Sequence, residues 1–303
     1  MERFSGVLAP VITPFKRDLT PDKERLIAHS RWILSKGVNL AVFGTNSEAN
    51  SLSVNEKINL LEHLVSSGIS GESLMPGTGC CALSDTIQLT KHCIELSCRG
   101  VLMLPPFFYK GISDDGIFGF YAEVIEQVAD ENLSIYLYHI PPISQIPIST
   151  SLIERLANRY PINIAGIKDS SGDWNQTAEF NQLGIPDFRV FCGSESFLLQ
   201  NMHAGGAGCI SATANVNPSA ISELYKNWNC ESAEKSQEKL NQIRMIFQSF
   251  PMIPALKAAT GIYSKQIEWN TVRPPLMGLS VKEVASLKAQ LDQVNFSMEG
   301  LTN

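Results

Sequence analysis

The strongest constraint on the fold of this chain is an alternation that runs through its first three quarters. Apolar runs of strand length occur at 7–13, 40–43, 74–78, 100–104, 134–138, 164–168, 188–193 and 208–211. Each leads through a polar loop into a stretch whose apolar residues recur at helical spacing. In 23–36 that spacing is carried by Leu26, Ile27, Ile33 and Leu34, and Gly37 closes the stretch. Ser53 and Glu56 form a capping box that opens a helix to about 66, and Asn217-Pro218 supplies an N-cap and a first-turn proline for a helix to about 228. Eight strand-then-helix units predict the α/β class and a (β/α)8 TIM barrel over residues 1–228. A doubly wound sheet, which suits five or six such units, is the alternative. Residues 229–303 read as a C-terminal helical extension with helices at 231–248, around 253–262 and at 280–294, the last opened by a Ser280/Glu283 capping box.

Composition removes several function classes. A net charge of −6 leaves no basic footprint for nucleic acid, and no apolar run approaches bilayer length. The first residues, Met1-Glu2-Arg3-Phe4-Ser5, lack the apolar core of a signal peptide, so a cytoplasmic protein is expected. Seven irregularly spaced cysteines argue for reduced thiols, and the five histidines include no HxH or HExxH pair, so no metal site is expected.

In a barrel of this kind the chemistry sits at the C-terminal ends of the strands. Those ends are Thr13, Gly44-Thr45, Gly77-Thr78-Gly79, Pro106-Phe107-Phe108, Tyr138, Lys168, Gly193 and Ile210. Lys168 is the only lysine among them, placed where Ile164-Ala165-Gly166-Ile167 runs into Asp169-Ser170-Ser171-Gly172-Asp173. An ammonium partly withdrawn from water is destabilised, which makes a neutral amine available to attack carbonyls. Tyr138, at the end of the neighbouring strand, is a candidate proton carrier for such an amine, and Thr45 a candidate to steer the phenol's proton. The competing readings are a solvated charge at a strand end and a core aromatic with its hydroxyl at the surface. Gly44-Thr45-Asn46-Ser47-Glu48 offers successive backbone amides able to hold a carboxylate, with Glu48 read as structural, bonding loop amides. A plain turn has the same composition.

Taken together, Gly44-Thr45-Asn46-Ser47-Glu48, Tyr138-His139-Ile140-Pro141, Gly166-Ile167-Lys168-Asp169-Ser170-Ser171-Gly172-Asp173 and Gly208-Cys209-Ile210-Ser211 resemble, in order, the motifs of the dihydrodipicolinate synthase/N-acetylneuraminate lyase family. The likeness extends from Phe4 and Thr13-Pro14-Phe15 to Pro254-Ala255-Leu256-Lys257 and Arg273-Pro274-Pro275-Leu276. It implies a barrel with a helical annex and a homotetramer built as a dimer of dimers. It also implies pyruvate or another 2-oxo acid held as a Schiff base on Lys168, with no cofactor beyond that imine, and an aldehyde as second substrate. Tyr138 is then the proton shuttle, and Gly44, Thr45 and Asn46 bind the carboxylate.

The chain also departs from the family pattern. Pro142-Ile143-Ser144-Gln145 lacks the arginine with which true dihydrodipicolinate synthases grip their aldehyde's carboxylate, and Phe108 replaces an interface tyrosine that Tyr109 would have to supply. Asn46-Ser47 replaces Thr-Gly. Ile140-Pro141-Pro142-Ile143-Ser144 is closer to the sialic acid lyases, yet Ser196 and Ala212 differ from that branch. Ser170, Gly193, Glu195, Ile210 and Tyr109 remain as candidate substrate contacts. Phe107-Phe108-Tyr109-Lys110-Gly111 resembles the 4-hydroxy-2-oxoglutarate aldolases. A class I aldolase or lyase is the leading expectation. A sugar-acid dehydratase using the same lysine and a catalytically silent 2-oxo acid binding protein are the alternatives. Feedback by lysine is not expected, since Val54, Lys57, Cys81 and Phe107 occupy that region and Lys57 repels a cation.

Overall fold

The structure, a computed structural model, describes residues 2–301. Met1, Thr302 and Asn303, at the outer ends of the two expected domains, lie outside the described residues. In chain order the strands are β1 (Gly6–Ala9), β2 (Asn39–Leu40), β3 (Val101–Met103), β4 (Ile135–His139), β5 (Ile164–Asp169), β6 (Arg189–Cys192) and β7 (Gly208–Ile210). The helices are α1 (Lys23–Ser35), α2 (Val54–Ser66), α3 (Leu83–Glu95), α4 (Asp114–Val128), α5 (Pro141–Ser144), α6 (Thr150–Arg159), α7 (Trp174–Asn181), α8 (Leu198–His203), α9 (Pro218–Lys226), α10 (Ala233–Gln248), α11 (Met252–Ser264) and α12 (Val281–Gln293). Among the described residues, no helix is long and apolar enough to cross a membrane. The chain divides into two compact units, one of Met1–Gly6 with Ser70–Ile210 and one of Val7–Ile69 with Ser211–Asn303.

In the first unit β7, β6, β5, β4 and β3 lie side by side in that order, all parallel. The strand expected at 74–78 is reduced to a parallel bridge between Gly77 and Leu102. Its two backbone bonds, Leu102 N–H to Pro76 O (2.9 Å) and Thr78 N–H to Leu102 O (3.1 Å), still align the segment with β3. β5 is buried over its whole length, as expected of a parallel strand covered on both faces. The pairing of β4 with β5 carries one irregularity. Ile135 pairs with Ile164 but Tyr136 with Gly166, so Ala165 is an extra residue on β5. Beyond it, Tyr138 pairs with Lys168 and His139 with Asp169. Gly166 is required here, because a Cβ would stand 2.1 Å from the Arg189 carbonyl oxygen of β6. Beside it, the Tyr136 and Phe191 rings meet edge to face at 5.8 Å, and the Tyr136 hydroxyl accepts the Phe4 N–H at 2.6 Å.

In the second unit β1 and β2 pair in parallel through Leu8–Asn39 and Ala9–Leu40. Both are shorter than the apolar runs that announce them. Beyond Ala9 the chain is held by a side chain and not by a ladder, since Asn215 accepts the Ile12 N–H (2.9 Å) and donates to the Pro10 carbonyl (3.0 Å). β2 ends at Leu40, and Phe43, with a φ of 62°, breaks the apolar run that continues from it. α2 opens with both halves of the expected capping box, and its Leu60, Leu61 and Leu64 are buried. The box at Ser280 and Glu283 is present as well. Asn217 stands at the N-cap of α9 as the sequence predicts, but its side chain makes no capping hydrogen bond. α11 is buried at every residue from Pro254 to Gly261, Lys257 included, as befits a helix that is mostly apolar all round.

Candidate active site

The first unit brings Lys168 and Tyr138 together. They are 2% and 3% exposed, and the Lys168 Nζ lies 4.3 Å from the centroid of the Tyr138 ring. The amine therefore rests on the face of the phenol ring and is withdrawn from bulk water more completely than a residue at the lip of the interior would be. Phe191 is its register partner on β6. Period-two alternation places Tyr138, Lys168 and Phe191 on one face of the sheet and His139, Asp169 and Cys192 on the other.

That second face holds the end of β5 in place. The Asp169 carboxylate accepts from Thr177 Oγ1 of α7 (2.5 Å), from Ser171 N–H (2.9 Å) and from Ser171 Oγ (3.0 Å). His139 Nδ1 accepts the Ile148 N–H at 3.0 Å, which leaves the Nε2 side, 4.0 Å from Asp169, to carry the proton. Burial lowers the His139 pKa, opposed by the Asp169 charge. The ring also packs edge to face on Phe180 at 5.3 Å. These groups touch no reacting atom of the candidate chemistry. They fix the backbone on which Lys168 sits.

Ser170 and Gly193 adjoin the same strand ends. Ser170 N–H donates to His139 O (2.7 Å) and Gly193 N–H to Asp169 O (2.6 Å). A Cβ on Gly193 would lie 2.2 Å from Ser170 Oγ and 2.6 Å from the Asp169 carbonyl oxygen, so glycine allows β6 to close on β5. Glu195, 1% exposed, opens the single 3-10 turn Glu195–Phe197, and Ile210 is the buried last residue of β7. Tyr109 does not join this cluster. It is 72% exposed and packs edge to face on the equally exposed Phe108 at 5.3 Å. The adjacent Lys110 ammonium ties the loop after β3 to the end of α5, donating to the carbonyls of Phe107 and Ser144. Ile143, in α5, is exposed.

In the second unit Gly44 stands at the N-cap of a 3-10 turn, Thr45–Ser47, with its N–H given to Ser47 Oγ (3.2 Å). Thr45 and Asn46 are half-buried. Thr13 Oγ1 donates to Ser47 O at 2.7 Å. Glu48 ends the turn in the left-handed region, at φ 55°. Its role is structural, but the partners are remote in sequence: the carboxylate pairs with the Lys257 ammonium of α11 and accepts the Arg273 N–H (3.0 Å). Both side chains of the pair are fully buried. Lys257 also donates to Thr271 O (2.8 Å) and lies 4.4 Å from the Phe15 ring centroid. Burial pushes its pKa down to about 8, against the pull of the Glu48 carboxylate.

Sequence reasoning missed Asp169, His139, Thr177 and Lys257. Lys257 had a usable signal, a lysine inside the otherwise apolar run from Pro254 to Ala259. The links of Asp169 to His139 and Thr177 had none, because they run across strand and helix; only its bonds to Ser171 are local.

Comparison with known proteins fits this geometry. The model of the dihydrodipicolinate synthetase family matches residues 3–294. An uncharacterized DapA-like lyase of Chloroflexus aurantiacus is 31% identical over 293 residues, covering 95% of this chain and 96% of its own. Dihydrodipicolinate synthase from Agrobacterium tumefaciens superposes with a TM-score of 0.89 at 27% identity, covering 95% and 99%. YagE, a prophage protein of the dihydrodipicolinic acid synthase family from Escherichia coli solved with pyruvate, superposes at 0.88 and 25% identity, covering 97% and 99%. The fold is the (β/α)8 barrel with a C-terminal helical extension, as expected. The match from residue 3 to residue 294 leaves little of the chain outside it, and the conclusion is that this protein belongs to the dihydrodipicolinate synthetase family and is an enzyme of the lyase class.

Proposed function

We propose that this lyase forms an imine between Lys168 and the C2 carbonyl of pyruvate or another 2-oxo acid, and joins it to an aldehyde or releases one by the reverse cleavage. The observation that carries the reading is the buried amine lying on the face of a tyrosine ring at adjacent strand ends. The amine adds to C2, and the carbinolamine loses water to give an iminium. The iminium accepts the electron pair left when a C3 proton departs, and the resulting enamine attacks the aldehyde carbon. Water then releases the product and restores the amine. Tyr138 carries protons to and from the carbinolamine oxygen, which requires its ring to stay against the amine. The electron sink is the iminium, so this sequence of steps calls on no metal or further cofactor.

Gly44, Thr45 and Asn46 are assigned the acid's carboxylate, with Thr45 steering the phenol. Ser170, Gly193, Glu195 and Ile210 are assigned the second substrate. We further assign 1–228 to the catalytic barrel, 229–303 to the annex, and the exposed Phe108 and Tyr109 to contacts within a homotetramer. The aldehyde is not that of a true dihydrodipicolinate synthase, because Ile143, Ser144 and Gln145 give its carboxylate no arginine. Borohydride reduction with pyruvate, followed by peptide mass measurement, tests the first step: a reduced pyruvyl adduct on Lys168 is expected, and its absence rejects the mechanism. A panel of aspartate semialdehyde, glyoxylate and sugar aldehydes tests the second, and efficient turnover of aspartate semialdehyde would refute the exclusion.

A further inference from the structure

The second unit contains a cavity of about 970 Å³ between the first half of α1, α2 and the segment that follows α11. Its volume is within the range of small-molecule sites. His29 and Ser264 line it, 1% and 4% exposed; the Asn215 amide is the polar group that faces the imidazole, which leaves its other nitrogen and the Ser264 hydroxyl without a hydrogen-bond partner among the described residues. The same amide accepts the Ile12 N–H and donates to the Pro10 and Ala212 carbonyls, so it can serve at most one of the two imidazole nitrogens. A buried unpaired polar atom costs about 1–3 kcal/mol, so an apolar side chain would serve a closed core better. The imidazole is wedged between two indoles, with Trp32 at 5.7 Å and Trp269 at 5.1 Å. Burial holds its pKa down to about 4, against a hydrogen bond to Asn215 that favours the charged form, so the ring is neutral, with one nitrogen to donate and one to accept. Trp269, Ile27 and Leu60 complete an apolar wall.

Charge points to the other half of the occupant. Lys16, Lys23, Arg25 and Arg31 line the cavity against Asp22, Glu24 and Glu56. Asp22 is taken by Arg25 (3.2 Å), and Glu56 is held by a fifth cation, Arg273. Lys23 reaches a histidine nitrogen (3.5 Å) and Arg31 a backbone carbonyl (2.6 Å), and neither forms an ion pair with a carboxylate among the described residues. The cavity is therefore locally cationic on a chain of net charge −6.

We infer that this cavity is a second ligand site, distinct from Lys168, for a small anion carrying an aromatic or heteroaromatic ring, with the ring on the His29/Trp269 wall and the anion at Lys16 and Lys23. The test is calorimetric titration of the full-length protein with adenosine monophosphate and with indole-3-acetate, beside adenosine and inorganic phosphate. Binding of at least one ring-bearing anion at about 1 mM or tighter is expected, with ring alone and anion alone weaker by about tenfold. The two ring-bearing arms distinguish phosphate from carboxylate. Lys16→Glu combined with Lys23→Glu, both away from the core, should weaken binding by at least about tenfold. His29→Phe should weaken it by about fivefold or more, with unfolding curves confirming that the fold is kept. Lys168→Ala should leave binding unchanged, which separates this site from the proposed imine chemistry. The inference is overturned if neither ring-bearing anion binds, if charge reversal has no effect, or if the Lys168 change abolishes binding. Ordered water on His29 and Ser264 in an experimental structure grown with the ligand would overturn it as well.

Discussion

Replacing Lys257 by methionine removes one member of a buried ion pair and keeps most of the volume. In the wild-type protein the ammonium meets the Glu48 carboxylate and the Thr271 carbonyl, and both side chains of the pair are fully buried. Without it, Glu48 keeps a single bond, from the Arg273 N–H, and its charge is stranded. Breaking a buried pair from one side costs about 3–5 kcal/mol, most of it the desolvated partner. With an unfolding entropy of roughly 0.6 kcal/mol/K for a chain of this length, about 4 kcal/mol lowers Tm by about 6 °C. Adding Glu48→Gln removes the stranded charge and should return about 2 kcal/mol, so the double variant is more stable than the single. Urea unfolding followed by circular dichroism gives all the free energies of the cycle. A loss below about 1 kcal/mol for the single variant, or a double variant no better than the single, would refute the reasoning. Under the proposed chemistry the single variant also raises KM for the 2-oxo acid, because Glu48 closes the turn that begins at Gly44.

Acid should expose His29: with a folded pKa of about 4 against 6.5, the native state binds fewer protons between those values, so stability falls as pH drops through that window, by about 3 kcal/mol from this group. His29→Phe should lack that component in urea unfolding measured from pH 7 to pH 4, and an unchanged acid slope would contradict the assignment. Gly193→Ala places a methyl 2.2 Å from Ser170 Oγ and should cost about 1–3 kcal/mol while displacing the loop after β5, visible as a reduced rate of imine trapping on Lys168. Thr177→Val removes a 2.5 Å donor from the buried Asp169 and should cost about 1.5–3 kcal/mol, with Thr177→Ser keeping most of it; equal losses for the two would mean that the methyl group matters and the hydroxyl does not.

Much of the molecule was readable in one dimension because its determinants are local. The capping boxes at Ser53 and Ser280 are four-residue devices, and both form as the spacing predicts. The apolar run at 164–168 is β5 less its final residue, Asp169, because a parallel strand buried on both faces has no polar alternation to hide it. Strand ends set by distant side chains were not readable. Past β1, the Pro10 carbonyl and the Ile12 N–H are taken by Asn215, more than two hundred residues away. The partner of Glu48 was hidden for the same reason, although Lys257 itself stands out in an apolar helix.

The sequence alone determined the order of strand-helix units, the placement of a lysine and a tyrosine at the ends of successive barrel strands, and the family motifs around them, since each is a matter of spacing along the chain. Only the tertiary structure decided that these two side chains share a face. The extra residue Ala165 shifts the pairing of β4 and β5 by one, and with a side-chain period of two, an unshifted register would set Lys168 beside His139 and leave Tyr138 against Ile167. That register comes from packing between strands, including the close approach that Gly166 permits, and no local pattern encodes it.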